Sequence, residues 1–129
     1  MLGNSDALAT IAVKDVERAR KFYEGTLGLT PVPTGESGVL GFRSGRSSIL
    51  VYHSQFAGTN KATVATWVVG DAIDDVVRSL KTKGVVFEHY DLPRTTREGD
   101  VHVSGKTRVA WLKDPDGNIL SLVNGDRQP

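Results

Sequence analysis

The sequence predicts an α+β domain in which one βαβββ unit occurs twice in tandem. Two observations carry that expectation. Short apolar, β-branched runs alternate with two amphipathic helical stripes, and each stripe opens near an aspartate, Asp15 or Asp71, and closes at a glycine, Gly28 or Gly84. Composition agrees with one ordinary globular domain. The 129 residues include no cysteine, 16 basic and 15 acidic side chains, 39% hydrophobic and 24% charged residues. A chain of this length buries roughly two-thirds of its unfolded surface, enough for a core without disulfides or a structural metal.

In the first unit, residues 8–13 read as a strand ending at Asp15, whose short carboxylate suits a helix N-cap. Val16, Ala19, Phe22, Tyr23 and Leu27 then recur at helical spacing, and Gly28 supplies the left-handed stop. Three extended runs follow, at 29–34, 39–43 and 48–53, separated by glycine-rich turns. Pro31 and Pro33 place the first of them at a sheet edge, because proline cannot donate to a ladder.

The second unit repeats the order. Residues 62–69 read as a strand, Asp71 as the cap, and Ile73, Val76, Val77 and Leu80 as the buried stripe of a helix. Runs at 85–90, 107–113 and 118–123 complete it. The expected organisation is one domain over 1–129, with units at 5–60 and 61–126. A polar loop at 91–106 interrupts the second unit, and a loop of that length is either a lid or an inert excursion.

The charge pattern excludes several function classes. Residues 1–64 carry 7 basic and 5 acidic groups, and no run of Lys or Arg builds the cationic stripe that nucleic-acid binding requires. The first 15 residues lack a cationic segment followed by an apolar one. No stretch approaches the roughly 20 apolar residues of a membrane span. A cytoplasmic protein that binds neither nucleic acid nor membrane is the expectation.

Three motifs resemble one family. The run Ala12-Val13-Lys14-Asp15-Val16-Glu17-Arg18-Ala19-Arg20-Lys21-Phe22-Tyr23 with Leu27-Gly28-Leu29 is similar to the opening module of the glyoxalase / bleomycin-resistance / extradiol dioxygenase superfamily, the vicinal oxygen chelate proteins. Leu80-Lys81-Thr82-Lys83-Gly84-Val85 resembles the end of that family's second helix. Lys113-Asp114-Pro115-Asp116-Gly117-Asn118-Ile119-Leu120 resembles its closing hairpin. The resemblance implies a curved, half-open mixed β-barrel with helices outside, a cavity within, and a homodimer.

In the family's metal-dependent members, His or Gln on the first strand and Glu on the fourth strand of each module bind the ion. Carried over, those positions fall on Leu8, Ala65 and Ser121, and near Val51. None is a competent ligand for a divalent cation, so no metal and no cofactor are expected. A displaced site assembled from His53, Glu88, His89, Asp91 and His102 is the alternative.

Strand alternation from those markers assigns a ligand-binding face of Leu8, Thr10, Val51, His53, Ala65, Trp67, Trp111 and Ser121, with Leu50, Tyr52, Val68, Leu120 and Leu122 under the helices. Such a face is apolar and aromatic, which suits a small neutral or aromatic ligand. The expected function is metal-free binding of that ligand. The competing expectation is an enzyme, a lyase, isomerase or dioxygenase, using the displaced metal or acid–base chemistry of His53, Glu88 or His102.

Overall fold

The computed structural model describes residues 1–125. The chain forms two compact units, Met1–Asn60 with Pro115–Asn118, and Lys61–Asp114 with residues 119–125. The fold is α+β, as expected, with two sheets and two α-helices. Among the described residues no helix is long and apolar enough to cross a membrane.

The first unit contains β1 (Ala9–Val13), α1 (Val16–Arg20) prolonged by a π-helical turn at Lys21–Thr26, β2 (Thr30–Val32), β3 (Val39–Ser44) and β4 (Ser47–His53). Asp15 caps α1 as its position predicts, its carboxylate accepting the Glu17 and Arg18 N–H groups at 3.0 and 3.1 Å. The sheet order is β1-β4-β3-β2, with β1 and β4 parallel, and β2 pairs only with β3, so Pro31 does sit on an edge. Ile11 and Val13 share a face with Ile49, Val51, Leu40 and Phe42, all buried. Ala19 and Tyr23 of the helix cover that face, the Tyr23 ring lying 6.0 Å from Phe42.

The phase of β4 is therefore opposite to the sequence expectation. Val51 is fully buried on the helix side opposite Ile11, whereas Leu50 and Tyr52 lie opposite Thr10 and Ala12 on the helix-free side. His53 pairs with Val13 at the exposed strand end, away from the Thr10 face. The run Ile49-Leu50-Val51-Tyr52 is apolar on both faces and carries no phase of its own. Its register comes from the β3–β4 hairpin, which pairs Ser44 with Ser47 across Gly45-Arg46.

The turn before the last strand packs with this unit. Asn118 donates its side-chain amide to the Ala12 carbonyl at 2.8 Å, and Arg18 reaches the nearly buried Asp116 carboxylate at 3.2 Å.

The second unit contains β5 (Thr63–Val68), a 3-10 turn at Gly70–Ala72, α2 (Ile73–Thr82), β6 (Phe87–Glu88), β7 (Thr96–Glu98), β8 (Val101–Ser104), β9 (Thr107–Lys113) and β10 (Ile119–Val123). Strand order is β5-β10-β9-β8-β7, and β6 pairs with the other end of β9. Asp71 lies inside the 3-10 turn, and the α2 N-cap is Ala72, with no side-chain cap. The 3-10 turn shifts the helix start by one residue. Asp74 and Asp75 still occupy the first turn, where they complement the helix dipole.

Ile73, Val77 and Leu80 are buried on α2. The helix side of the sheet is identified by Arg108, which bridges Asp74 of α2 and Glu98 of β7, each at 2.8 Å. Alternation puts Ala110 and Leu112 on that side, and their register places Leu120 and Leu122 there too, all buried.

The expected loop at 91–106 is in part a hairpin. Residues Thr96–Glu98 and Val101–Ser104 pair antiparallel and extend the sheet past β9, with Gly99 at φ 65° in the turn. Thr96 and the Val101-His102-Val103 run have the β-branched character a strand uses, and the charges between them obscured the pattern.

Candidate functional site

The helix-free face of the second sheet collects the polar and aromatic residues. Trp111 lies between Ser121 on β10 and Glu88 on β6, and Val109 lies between Val123 on β10 and His102 on β8. Ser121 also pairs with Thr66 on β5, and their hydroxyl oxygens are 2.7 Å apart. Trp111 and Ser121 therefore occupy the face expected of them.

Ala65 and Trp67 do not. They are register partners of Leu120 and Leu122, on the helix side. The pairing of β5 with β10 shifts by one residue between Ile119 and Leu120, and such a slip moves every later side chain to the other face. Leu8 and Thr10 are exposed on the helix-free side of the first sheet. Glu88 is half-buried, 3.6 Å from Lys113, and His102 is only 3% exposed.

Tyr90, two residues beyond Glu88, completes an aromatic cluster and was not among the residues expected on the ligand-binding face. Its ring meets Trp111 edge-on at 5.2 Å, and the His102 ring meets Trp111 edge-on at 4.8 Å. The backbone N–H of Tyr90 donates to His102 Nε2 at 2.9 Å. That bond requires Nε2 without a proton, so the neutral ring carries its proton on Nδ1. Neither His102 Nδ1 nor the Tyr90 hydroxyl has a hydrogen-bond partner, although both are buried. Burial, and then the charge of Glu88, raise the Tyr90 pKa, Lys113 opposing them.

A cleft of about 270 Å3 opens beside this cluster, lined by Tyr90, Leu92, Trp111, Ile119, Thr63 and Lys61. Most of its wall is apolar or aromatic, with one cation, Lys61, and two hydroxyls, on Thr63 and Tyr90, among these residues.

The metal implied by the resemblance does not fit the donor set. In the first sheet Thr10 faces Leu50, and in the second Ser121 faces Thr66 and Trp111, so neither position has an imidazole or carboxylate as its register partner. Two neutral hydroxyls already bonded to each other make poor ligands for a divalent ion. Among the described residues no group of three His, Asp or Glu side chains is arranged to hold one.

Outside the cleft, Asp100 in the β7–β8 turn accepts from Lys81 Nζ and from His89 Nε2, each at 2.7 Å. These bonds, the lysine first, lower its pKa below the ordinary 3.8. A depressed folded value means stability that is present above the unfolded pKa and is lost as pH falls through the folded one. Asp100→Asn is expected to lower stability at neutral pH and to flatten the loss on acidification. Urea midpoints at neutral and acidic pH measure both, and unchanged midpoints would refute the tether.

A small α+β protein with an aromatic cleft on the helix-free face of a sheet is the class these features define. The sequence matches the model of the Glyoxalase/Bleomycin resistance protein/Dioxygenase superfamily over residues 7–122, and the chain belongs to that family.

No curated protein matches the sequence. Among solved structures, the chain is similar to the fosfomycin resistance protein FosX from Listeria monocytogenes, at 14% identity and TM-score 0.72, covering 96% of this chain and 95% of that one. It is similar to FosX from Mesorhizobium loti, at 16% identity and TM-score 0.68, covering 96% and 94%. It is also similar to lactoylglutathione lyase from Agrobacterium tumefaciens, at 16% identity and TM-score 0.68, covering 92% of each chain. Likeness at this identity defines the fold and leaves the ligand open.

Proposed function

We propose that the protein binds a small, largely neutral aromatic molecule on the helix-free face of its second sheet and does so without a metal. Trp111, held edge-on by Tyr90 and His102 beside the 270 Å3 cleft, is the observation that supports this reading. A pocket with a mostly apolar wall and a few polar groups suits such a ligand. Stacking on the indole adds roughly 0.5–1.5 kcal/mol beyond the area buried.

The competing reading is an acid–base enzyme, and the hydrogen bonds weigh against its strongest candidate. His102 Nε2 is occupied by the Tyr90 N–H, and Nδ1 bears the proton, so the ring has no free lone pair with which to accept one.

Elemental analysis and a fluorescence titration with acetophenone as a neutral aromatic probe test the proposal. No stoichiometric divalent ion and saturable quenching are expected. One divalent ion per chain that survives dialysis against chelator, or quenching that never saturates, would overturn it. The same reading has the chain as a cytoplasmic homodimer. Light scattering is expected to give twice 13.9 kDa, and a monomer at micromolar concentration would refute the dimer.

A further inference from the structure

A second cleft, about 300 Å3, lies along the β7–β8 hairpin on the other side of Tyr90, lined by His89, Tyr90, Thr95, Thr96, Arg97 and His102, with Asp91 as its one carboxylate. We propose that this cleft is a binding site for a small oxyanion, a carboxylate or a phosphate, held by His102 Nδ1–H, the Tyr90 hydroxyl and the Arg97 guanidinium. The proposal is independent of what occupies the aromatic cleft.

Hydrogen-bond accounting carries it. The Tyr90 N–H consumes the only acceptor on His102, which leaves Nδ1–H a buried donor with nothing to bond to, on a side chain that is 97% buried by its 3% exposure. The Tyr90 hydroxyl lacks a partner as well. A buried donor without an acceptor is costly, and native structures retain one where a ligand supplies the acceptor.

The charge balance selects the ligand. Arg97 Nη1 donates to the Gly99 carbonyl at 3.0 Å and lies 3.3 Å from His89 Nε2, which leaves the Nη2 and Nε N–H groups for a further acceptor. Both oxygens of Asp100 are already engaged by Lys81 and His89, and Glu88, whose charge reaches Tyr90, is offset by Lys113 at 3.6 Å, which leaves Asp91, exposed, as the carboxylate of the cleft wall. A cation would meet donors on most sides. Because neither orphan atom reaches bulk water, contact requires the Tyr90 ring to shift, and Trp111, 5.2 Å away, registers that shift.

The test is a titration of the full chain with sodium acetate, inorganic phosphate and acetamide, followed by the imidazole nitrogen resonances of His102 and by tryptophan fluorescence. Acetate or phosphate is expected to move the His102 signals saturably with Kd near the millimolar range, about 1–10 mM. The tighter of the two assigns the ligand as carboxylate or phosphate. Acetamide has the shape of acetate without its charge and is expected to bind about tenfold or more weakly.

Arg97 is exposed, so Arg97→Gln leaves the fold intact and is expected to abolish that preference. Arg94→Gln, on the same segment but outside the cleft, is expected to leave it unchanged. His102 signals that stay still under both anions, acetamide binding as tightly as acetate, or equal losses in the Arg97 and Arg94 variants would each overturn the site. Each of these outcomes is read without acetophenone, at His102 and Arg97, which do not line the aromatic cleft.

Discussion

Trp111→Ala is expected to weaken acetophenone binding about tenfold or more, equivalent to about 1.4 kcal/mol, while Trp67→Ala leaves the affinity unchanged. Trp111 forms part of the cleft wall and holds the Tyr90 and His102 rings at 5.2 and 4.8 Å. Its removal takes away both the stacking surface and the packing that orients its neighbours. Trp111→Phe keeps most of that area and is expected to lose less. Trp67 is half-buried on the helix side with Leu122, so its truncation is felt in folding, not binding. The measurement is a titration of each variant beside its urea melt. A Trp67→Ala protein that stays folded and loses affinity, while Trp111→Ala keeps it, would place the ligand on the opposite face.

Gly58→Ala is expected to destabilise the protein by about 3 kcal/mol. Gly58 adopts φ +74°, a left-handed conformation that costs an ordinary residue about 1–2 kcal/mol, and a Cβ built there would collide with the backbone carbonyl oxygen of Asp116. That carbonyl has little freedom to retreat, because Arg18 and Ala12 hold the turn through Asp116 and Asn118. Forcing the contact apart adds roughly 1–3 kcal/mol. Gly28→Ala is the control, since its φ is +76° and nothing lies within 4 Å of the added carbon. It carries the conformational cost alone, so equal losses in the two variants would show that the clash is relieved without effect.

Much of the architecture was legible because local signals agree with it. The Asp15 cap, the Ile73, Val77 and Leu80 stripe, the Gly28 stop and the edge position of Pro31 each follow from the geometry of a single element. The faces of β1, β9 and β10 were legible too, where alternation has contrast: Trp111 and Ser121 lie on one side, Arg108, Leu120 and Leu122 on the other. Tyr90 was missed although it ends the run expected as a strand at 85–90, because its polar neighbours His89 and Asp91 hide the face it shares with Trp111.

The sequence by itself determined the class of fold and the family. These are properties of residue identity and of short-range order. Only the tertiary structure decided which way β4 and β5 face, and with them that Val51, Ala65 and Trp67 belong to the helix side. Strand side chains repeat every two residues, so one residue of offset inverts a whole face, and an apolar run such as Ile49-Leu50-Val51 fits either phase equally well. The choice is made by partners distant in sequence: Ile11 opposite Val51, and the bulge where β5 meets β10 at Ile119 and Leu120. The cluster of Tyr90, His102 and Trp111 is of the same kind, formed from three segments whose meeting depends on sheet pairing that no local pattern encodes.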